Sequence, residues 1–259
     1  MSSNLERIIF STSDEYADFW PINSKIWKEH IGIEPICIHF GEKTLTEKYG
    51  QVIKYNYLKD LPPILQVTWS KFRLPELFNG YTIIGDIDQI PLNREYFLRN
   101  YSRYTHLNAF GCDLTTEVWN NKGSLIMGGA DLPGHYHVAI GEDYRKYYSD
   151  NKSFEEQINL FSETKSYGLG KISNDWNNPE KYFWCLEEMY TSHMLKINNV
   201  NIDMYNKANR ICRSEWQNNM YLYDKDVANI DIHCMRPYKE YEQQLFKVLE
   251  DYEIDCTSL

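Results

Sequence analysis

The chain has no run of about 18 apolar residues, so no membrane-spanning helix is expected. Cations are in the minority: 27 Lys and Arg stand against 37 Asp and Glu, a formal net charge of −10. A surface that tracks a nucleic-acid backbone needs clustered Lys and Arg, so no nucleic-acid partner is expected. Cysteine is sparse and scattered, at Cys37, Cys112, Cys185, Cys212, Cys234 and Cys256, with no C-x-x-C pair. That excludes a cysteine zinc site and a dense disulfide framework, and the thiols are expected to be reduced. Met1 to Arg7 is polar and leads straight into a strand, so no secretory signal is expected there. A cytoplasmic protein, free or peripheral to a membrane, fits these absences. No internal repeat, low-complexity segment or linker divides the sequence, and a single domain over residues 1–259 is expected.

What is present is enough apolar residue for a core, 42% of the chain, and many aromatics, with 21 Tyr and 7 Trp. Aromatic faces stack on sugar rings and nucleobases, but an AT-rich codon bias accounts for most of this enrichment. Arg7 to Ser11 and Glu34 to Phe40 read as strands, and Gln51 to Tyr55 as a short third. Between the first two, Asp14 to His30 carries Tyr16, Phe19, Trp20, Ile26 and Trp27 at helical spacing, with Pro21 bending or interrupting it. Strand, helix and strand in this order open a Rossmann-like unit. Leu61 to Phe78 reads as a helix broken at Pro75, and Arg94 to Asn100 as another. Further strands are expected at His106 to Cys112 and Val138 to Gly141. Tyr167 to Pro179 reads as a long loop, and Glu180 to about Lys196 as a helix. Turns and short strands are expected over Ser214 to His233, and an amphipathic helix over Tyr238 to Tyr252.

The most informative segment is Tyr81-Thr82-Ile83-Ile84-Gly85-Asp86-Ile87-Asp88-Gln89-Ile90-Pro91-Leu92. A short β-branched run ends in two carboxylates one residue apart, and Pro91 is expected to stop the strand. Ligands of open α/β sheets collect at the carboxyl ends of strands. Two carboxylates turned toward one point there repel each other unless a cation lies between them. Alone, a D-x-D is more often a polar turn.

With its neighbours, this motif resembles the GT-A glycosyltransferases, which use a metal-bound nucleotide sugar. The resemblance spans roughly Ile8 to Tyr238. It implies an α/β fold, a single GT-A (Rossmann-like) domain with a mixed central sheet flanked by helices. Residues 7–130 would form the nucleotide-sugar-binding half and 131–259 the acceptor-side half. Asp86 and Asp88 match the D-x-D that holds metal, ribose or phosphate. Ile8 to Tyr16 looks like the first strand and nucleotide-binding turn, with Ser11, Thr12, Ser13, Asp14 and Tyr16 as candidate contacts. A helix N-cap explains Ser13 or Asp14 equally well. Asp231-Ile232-His233, followed by Arg236-Pro237-Tyr238, looks like the late histidine that completes the metal shell, with Asp231 orienting the ring or facing water. Two carboxylates and an imidazole suit Mn2+, or else Mg2+. Gln66, Arg73 and Lys71, on the helix before the D-x-D strand, are candidate donor contacts, with Lys71 more simply a solvated charge. Arg236 adds a cation beside His233, and Gly134 lies in a loop of the type that touches donor sugar or acceptor.

An inverting transferase also needs a base. Glu187 and Glu188, beside Trp184, resemble the family's acidic late-helix motif; neighbouring helix positions diverge by about 100°, so only one faces the cleft. Asp131 is the rival, and if no carboxylate reaches the acceptor a retaining mechanism follows. The expected activity is metal-assisted transfer of a hexose or pentose from a nucleotide-diphosphate sugar, with UDP as the expected nucleotide, to a glycan, glycolipid or protein. The general look is of a viral or bacterial enzyme, and a viral one would act in the host cytoplasm. A nucleotidyltransferase is the first alternative, disfavoured because Ser11 to Tyr16 lacks the glycine-rich basic loop of that class. A catalytically silent carbohydrate-binding protein on the same fold is the second.

Overall fold

A computed structural model describes residues 5–55, 66–67, 70–71, 73–98, 108–110, 136–146, 152–153, 156, 203–204, 209–216 and 221–256. Strand β1 (Leu5–Ser13) is followed by a single 3₁₀ turn (Ala17–Phe19), helix α1 (Trp20–Lys25) and a π-helical stretch (Ile26–Ile31). The helical spacing of the aromatics is therefore realised in three consecutive pieces. Pro21 lies in the first turn of α1, where its missing N–H deprives no carbonyl of a partner. Gly32 ends the segment at φ 86°, donating to the Trp27 carbonyl, a conformation that strains any residue with a Cβ.

Strands β2 (Glu34–Phe40) and β3 (Gln51–Lys54) follow, as expected. Residues 66–67, 70–71 and 73 are helical, and Pro75 turns the end of that segment into a 3₁₀ turn, Leu74–Leu77. Next come β4 (Tyr81–Gly85), β5 (Gln89–Pro91), helix α2 (Arg94–Phe97) and β6 (Asn108–Phe110). Then follow β7 (Tyr136–Ile140), helix α3 (Gly141–Tyr144), β8 (Asp203–Met204), helix α4 (Arg213–Trp216), β9 (Asp231–His233) and helix α5 (Tyr238–Asp251).

Seven strands form one mixed sheet in the order β3-β2-β1-β4-β7-β6-β8. The β3-β2-β1-β4 part is parallel, and β7 joins β4 antiparallel. β1 and β2 are buried along most of their length, the pattern of parallel strands covered on both faces. An aromatic cluster fills one side: Trp27 meets Phe97 at 4.8 Å between ring centroids, and Phe97 meets Tyr136 at 5.1 Å. Both contacts are edge-on, the arrangement favoured by the ring quadrupoles. Leu245, Val248 and Leu249 bury the inner face of α5.

Two local expectations change. Pro91 does not stop a strand; it belongs to β5, which pairs with β9 as a separate two-stranded ribbon. The ladder bond beyond Ile90 is donated by the Leu92 N–H to the Ile230 carbonyl, so the missing N–H of Pro91 costs no bond to β9. The segment expected to hold only turns and strands also contains α4. The base candidates Asp131, Glu187 and Glu188, together with Gly134, the loop at Tyr167 to Pro179 and the helix from Glu180, lie outside the described residues.

Candidate active site at the end of strand β4

The two motif carboxylates stand where β4 leaves the sheet. Gln89 donates its backbone N–H to the Asp86 carbonyl at 3.1 Å, closing a turn around Ile87 and Asp88. Asn23, fully buried on α1, donates through Nδ2 to the Ile87 carbonyl at 2.6 Å and the Gln89 carbonyl at 3.1 Å. These bonds clamp the turn to the helix beneath it. The chain then runs into β5, whose register with β9 sets Gln89 opposite His233, Ile90 opposite Ile232 and Pro91 opposite Asp231. The Cys234 N–H extends the ribbon by donating to the Asp88 carbonyl at 2.8 Å.

That register brings His233 to Asp88, with Nε2 3.8 Å from Oδ2. The same oxygen accepts from Arg213 Nη2 at 2.7 Å and lies 3.4 Å from Arg236 Nε. Asp86 is occupied through both oxygens: Oδ1 by Lys71 Nζ at 2.5 Å and Oδ2 by Gln89 Nε2 at 3.0 Å. Among the described residues, two carboxylates thus face three cations, Lys71, Arg213 and Arg236. In a chain of net charge −10, three cations gathered at one strand end stand out. Burial, reinforced by Arg213 and Arg210, pushes the His233 imidazole down to about 4, against the smaller opposing pull of Asp86 and Asp231. At neutral pH it therefore keeps a lone pair, the state in which imidazole binds metals.

The remaining sequence candidates divide clearly. Lys71, expected to be a solvated charge, is almost fully buried against Asp86, while Arg73 is paired within its own turn to Glu76 at 2.9 Å. Gln66 is buried on the same helical segment. Ser11 shares a hydrogen bond with Ser70, and Thr12 donates to the Ser13 carbonyl at 3.1 Å. Neither Ser13 nor Asp14 caps a helix. Asp14 instead receives the Glu42 and Lys43 N–H groups at 2.8 and 3.0 Å and lies 2.9 Å from His39 Nε2, tying β1 to the end of β2. Tyr16 reaches the site indirectly: the Arg236 guanidinium lies 4.8 Å above its ring centroid and also donates to its hydroxyl. Through Arg236 the first-strand turn is joined to Asp88.

Asp231 neither orients the His233 ring nor faces water. It is fully buried and held by Arg210, whose Nε donates to Oδ1 at 2.8 Å and whose Nη2 donates to Oδ2. Arg210, Arg213 and Asn23 lie outside every sequence motif, and Gln89 stands inside the D-x-D segment without a chemistry of its own. Arg213 gains its place because Trp216 buries α4 and donates to the His233 carbonyl at 3.2 Å.

Two ligand atoms each about 2.1 Å from a shared ion stand roughly 3.0 Å (cis) or 4.2 Å (trans) apart. Asp88 Oδ2 and neutral His233 Nε2, at 3.8 Å, lie between these two octahedral spacings, so both would reach one ion only after a shift of roughly half an ångström. Carboxylate and imidazole donors fit Mn2+ or Mg2+ in kind. They are not preassembled: among the described residues no three His, Cys, Asp or Glu side chains already form a metal-binding group. A bound ion would share Asp88 with the cations now on it.

No helix among the described residues is long and apolar enough to cross a membrane. No protein-family model matches the chain, and no curated protein matches it in sequence. Among solved structures, the bifunctional glycosyltransferase WbbM is similar over 98% of this chain and 52% of its own, at 9% identity and a TM-score of 0.51. GlyE, a glycosyltransferase of Streptococcus pneumoniae TIGR4, aligns with 97% of this chain and 61% of its own, at 10% identity and a TM-score of 0.46. Mouse xyloside xylosyltransferase 1 aligns with 90% of this chain and 98% of its own, at 8% identity and a TM-score of 0.45. The chain thus spans 52% of WbbM and 61% of GlyE. At such low identity the likeness to WbbM shows the fold alone: the mixed α/β sheet with flanking helices is shared with a glycosyltransferase.

Proposed function

We propose that the protein is a glycosyltransferase of GT-A type that moves a sugar from a nucleotide-diphosphate donor, with UDP as the expected nucleotide, to a glycan, glycolipid or protein acceptor. The observation that carries this reading is the cluster of Lys71, Arg213 and Arg236 around Asp86 and Asp88 at the end of β4. Three cations gathered at a sheet edge of an acidic protein are suited to an anion, and the glycosyltransferase fold favours a diphosphate over a simple phosphate.

In the reaction the bond between the anomeric carbon and the diphosphate oxygen breaks, and negative charge grows on the departing oxygen. Fixed cations in a partly buried site stabilise that charge without reorganising water. Lys71 and Arg236 are held in place by Asp86, Asp88 and Tyr16, so they are oriented before the donor arrives. Asp86, Asp88 and His233 would hold Mn2+ or Mg2+, which would supply Lewis-acid stabilisation of the diphosphate. The acceptor hydroxyl would lose its proton to Glu188, Glu187 or Asp131 in an inverting reaction.

The test is release of nucleoside diphosphate from a panel of UDP- and GDP-sugars, with and without Mn2+, together with thermal-shift measurements on the same panel. Metal-dependent release and a matching shift for one donor support the transferase. A shift without release indicates a binding protein, and neither response to any donor would remove the proposal.

A further inference from the structure

We infer that Arg213 acts as a resident stand-in for the divalent ion at Asp88, so that ion and guanidinium compete for one oxygen and tight metal binding waits for a diphosphate. This deepens the donor reading and rests on it for the diphosphate half. Arg213 Nη2 is 2.7 Å from Asp88 Oδ2, the oxygen that would share an ion with His233 Nε2. Its Nε separately donates to the Cys234 carbonyl at 2.7 Å. Buried Trp216 fixes α4 by donating to the neighbouring His233 carbonyl at 3.2 Å. Losing Asp88 therefore does not release Arg213 from the site.

An arriving ion takes Asp88 Oδ2 and leaves an anchored guanidinium a few ångströms away, with no other described carboxylate bonded to it. Like charges at that separation repel, and the ion alone binds weakly. A diphosphate changes the balance. Its oxygens would accept from Arg213 and Arg236 and also meet the ion, so an anion lying between the cations offsets the repulsion that remains between them. The 32% exposure of the Arg213 side chain, against 11% for Asp88, puts the guanidinium on the more open side of the pair. Binding of ion and diphosphate is consequently coupled, each strengthening the other by the same factor.

The experiment measures Mn2+ binding to the whole chain without donor, from the electron paramagnetic resonance signal of the free ion. Wild type is compared with Arg213→Gln, Arg213→Met, Arg213→Lys and Asp88→Asn. Removing the charge in Arg213→Gln or Arg213→Met is expected to tighten Mn2+ binding about tenfold, since a unit charge near 4 Å opposes a divalent ion by at least that factor even in water. Arg213→Lys should stay near wild type, and Asp88→Asn should lose the site. Mn2+ affinity measured with inorganic pyrophosphate, corrected for the ion it chelates in solution, should rise more in wild type than in Arg213→Gln. Unchanged or weaker Mn2+ binding in the folded charge-free variants overturns the inference, as does no binding in any variant. If neither charge-free variant folds, the wild-type pyrophosphate series decides, and an affinity that does not rise overturns it. Nucleotide-sugar turnover with unchanged Mn2+ affinity in Arg213→Gln would sink this inference and leave the transferase standing. Tighter Mn2+ binding with no turnover of any donor would do the reverse.

Discussion

Replacing Arg210 by Met should be among the most destabilising single changes near the site. Asp231 is fully buried in β9, and Arg210 holds both of its oxygens. Burial opposes the guanidinium charge, but Asp231 more than offsets it and raises the Arg210 pKa. Removing the cation strands a carboxylate away from water, which costs about 3–5 kcal/mol, whereas exchanging a whole buried pair for apolar residues is often neutral. Arg210 Nη1 is itself buried with no hydrogen-bond partner, so the native pair is imperfectly satisfied and its replacement gives up little. At roughly 2–4 °C per kcal/mol for a chain of this size, Arg210→Met should melt on the order of 10 °C below wild type. Asp231→Leu with Arg210→Met should recover most of that loss. The assay is urea unfolding of wild type, both single variants and the double variant, analysed as a cycle. A loss under about 1 kcal/mol in Arg210→Met, or strictly additive single effects, would refute the reasoning.

Asp88→Asn should preserve the far-UV circular dichroism spectrum and lower donor turnover by about 10²-fold or more, the scale of losing one preorganised electrostatic contact. Trp27→Ala should cost about 3–5 kcal/mol in urea, because the ring is fully buried against Phe97 and Tyr136. Trp27→Phe should cost much less, since it keeps ring contacts and removes an Nε1 that lacks a partner. Gly141→Ala should destabilise the junction of β7 and α3, because a Cβ there would lie 2.2 Å from the Phe78 carbonyl oxygen and 2.9 Å from that of Pro75; thermal unfolding checks it. Stability should fall on acidification below the ordinary histidine value of 6.5, because burial holds both His39 and His233 below it and the unfolded chain takes up their protons first. Asp14 adds to the same slope at lower pH: burial raises its pKa, but the Glu42, Lys43 and His39 hydrogen bonds outweigh that, so its contribution is lost below the ordinary 3.8. His39→Gln should reduce the slope of the upper part of the curve and leave the share carried by His233, measured by urea unfolding between pH 7 and 4.

Much of the parallel half was legible because its signals are local. Ile8 to Phe10, Ile36 to Ile38 and Ile83 to Ile84 are short β-branched or aromatic runs, and all lie in buried strands. Asp86 and Asp88 were legible for the same reason, as an abrupt change of chemistry at a strand end. What pairs with them was not. Lys71 looked like a surface charge because helical periodicity gives a face only when the packing partner is known, and its partner is the motif carboxylate itself. Arg210 and Arg213 come from a segment without periodicity, and tertiary pairing with β9 and Asp88 gives them their roles. Asp14 was legible as a polar residue at the first turn, but a cap and a bridge to β2 demand the same residue type.

The β5–β9 ribbon is what holds His233 against the turn that carries Asp86 and Asp88. Three residue pairs and the bond from Cys234 to the Asp88 carbonyl are the short backbone link that fixes His233 against the turn. A one-residue slip of that register would move every side chain to the opposite face. Asp231 would then leave Arg210, and His233 would leave Asp88. The buried ion pair and the site are consequently held by one register, with Asn23 gripping the turn on the other side. Loss of the Arg210–Asp231 pair should therefore loosen His233 as well as the fold, and Mn2+ affinity should fall in Arg210→Met while rising in Arg213→Gln. Opposite signs from two arginines in one short segment are not expected from a general change in site charge.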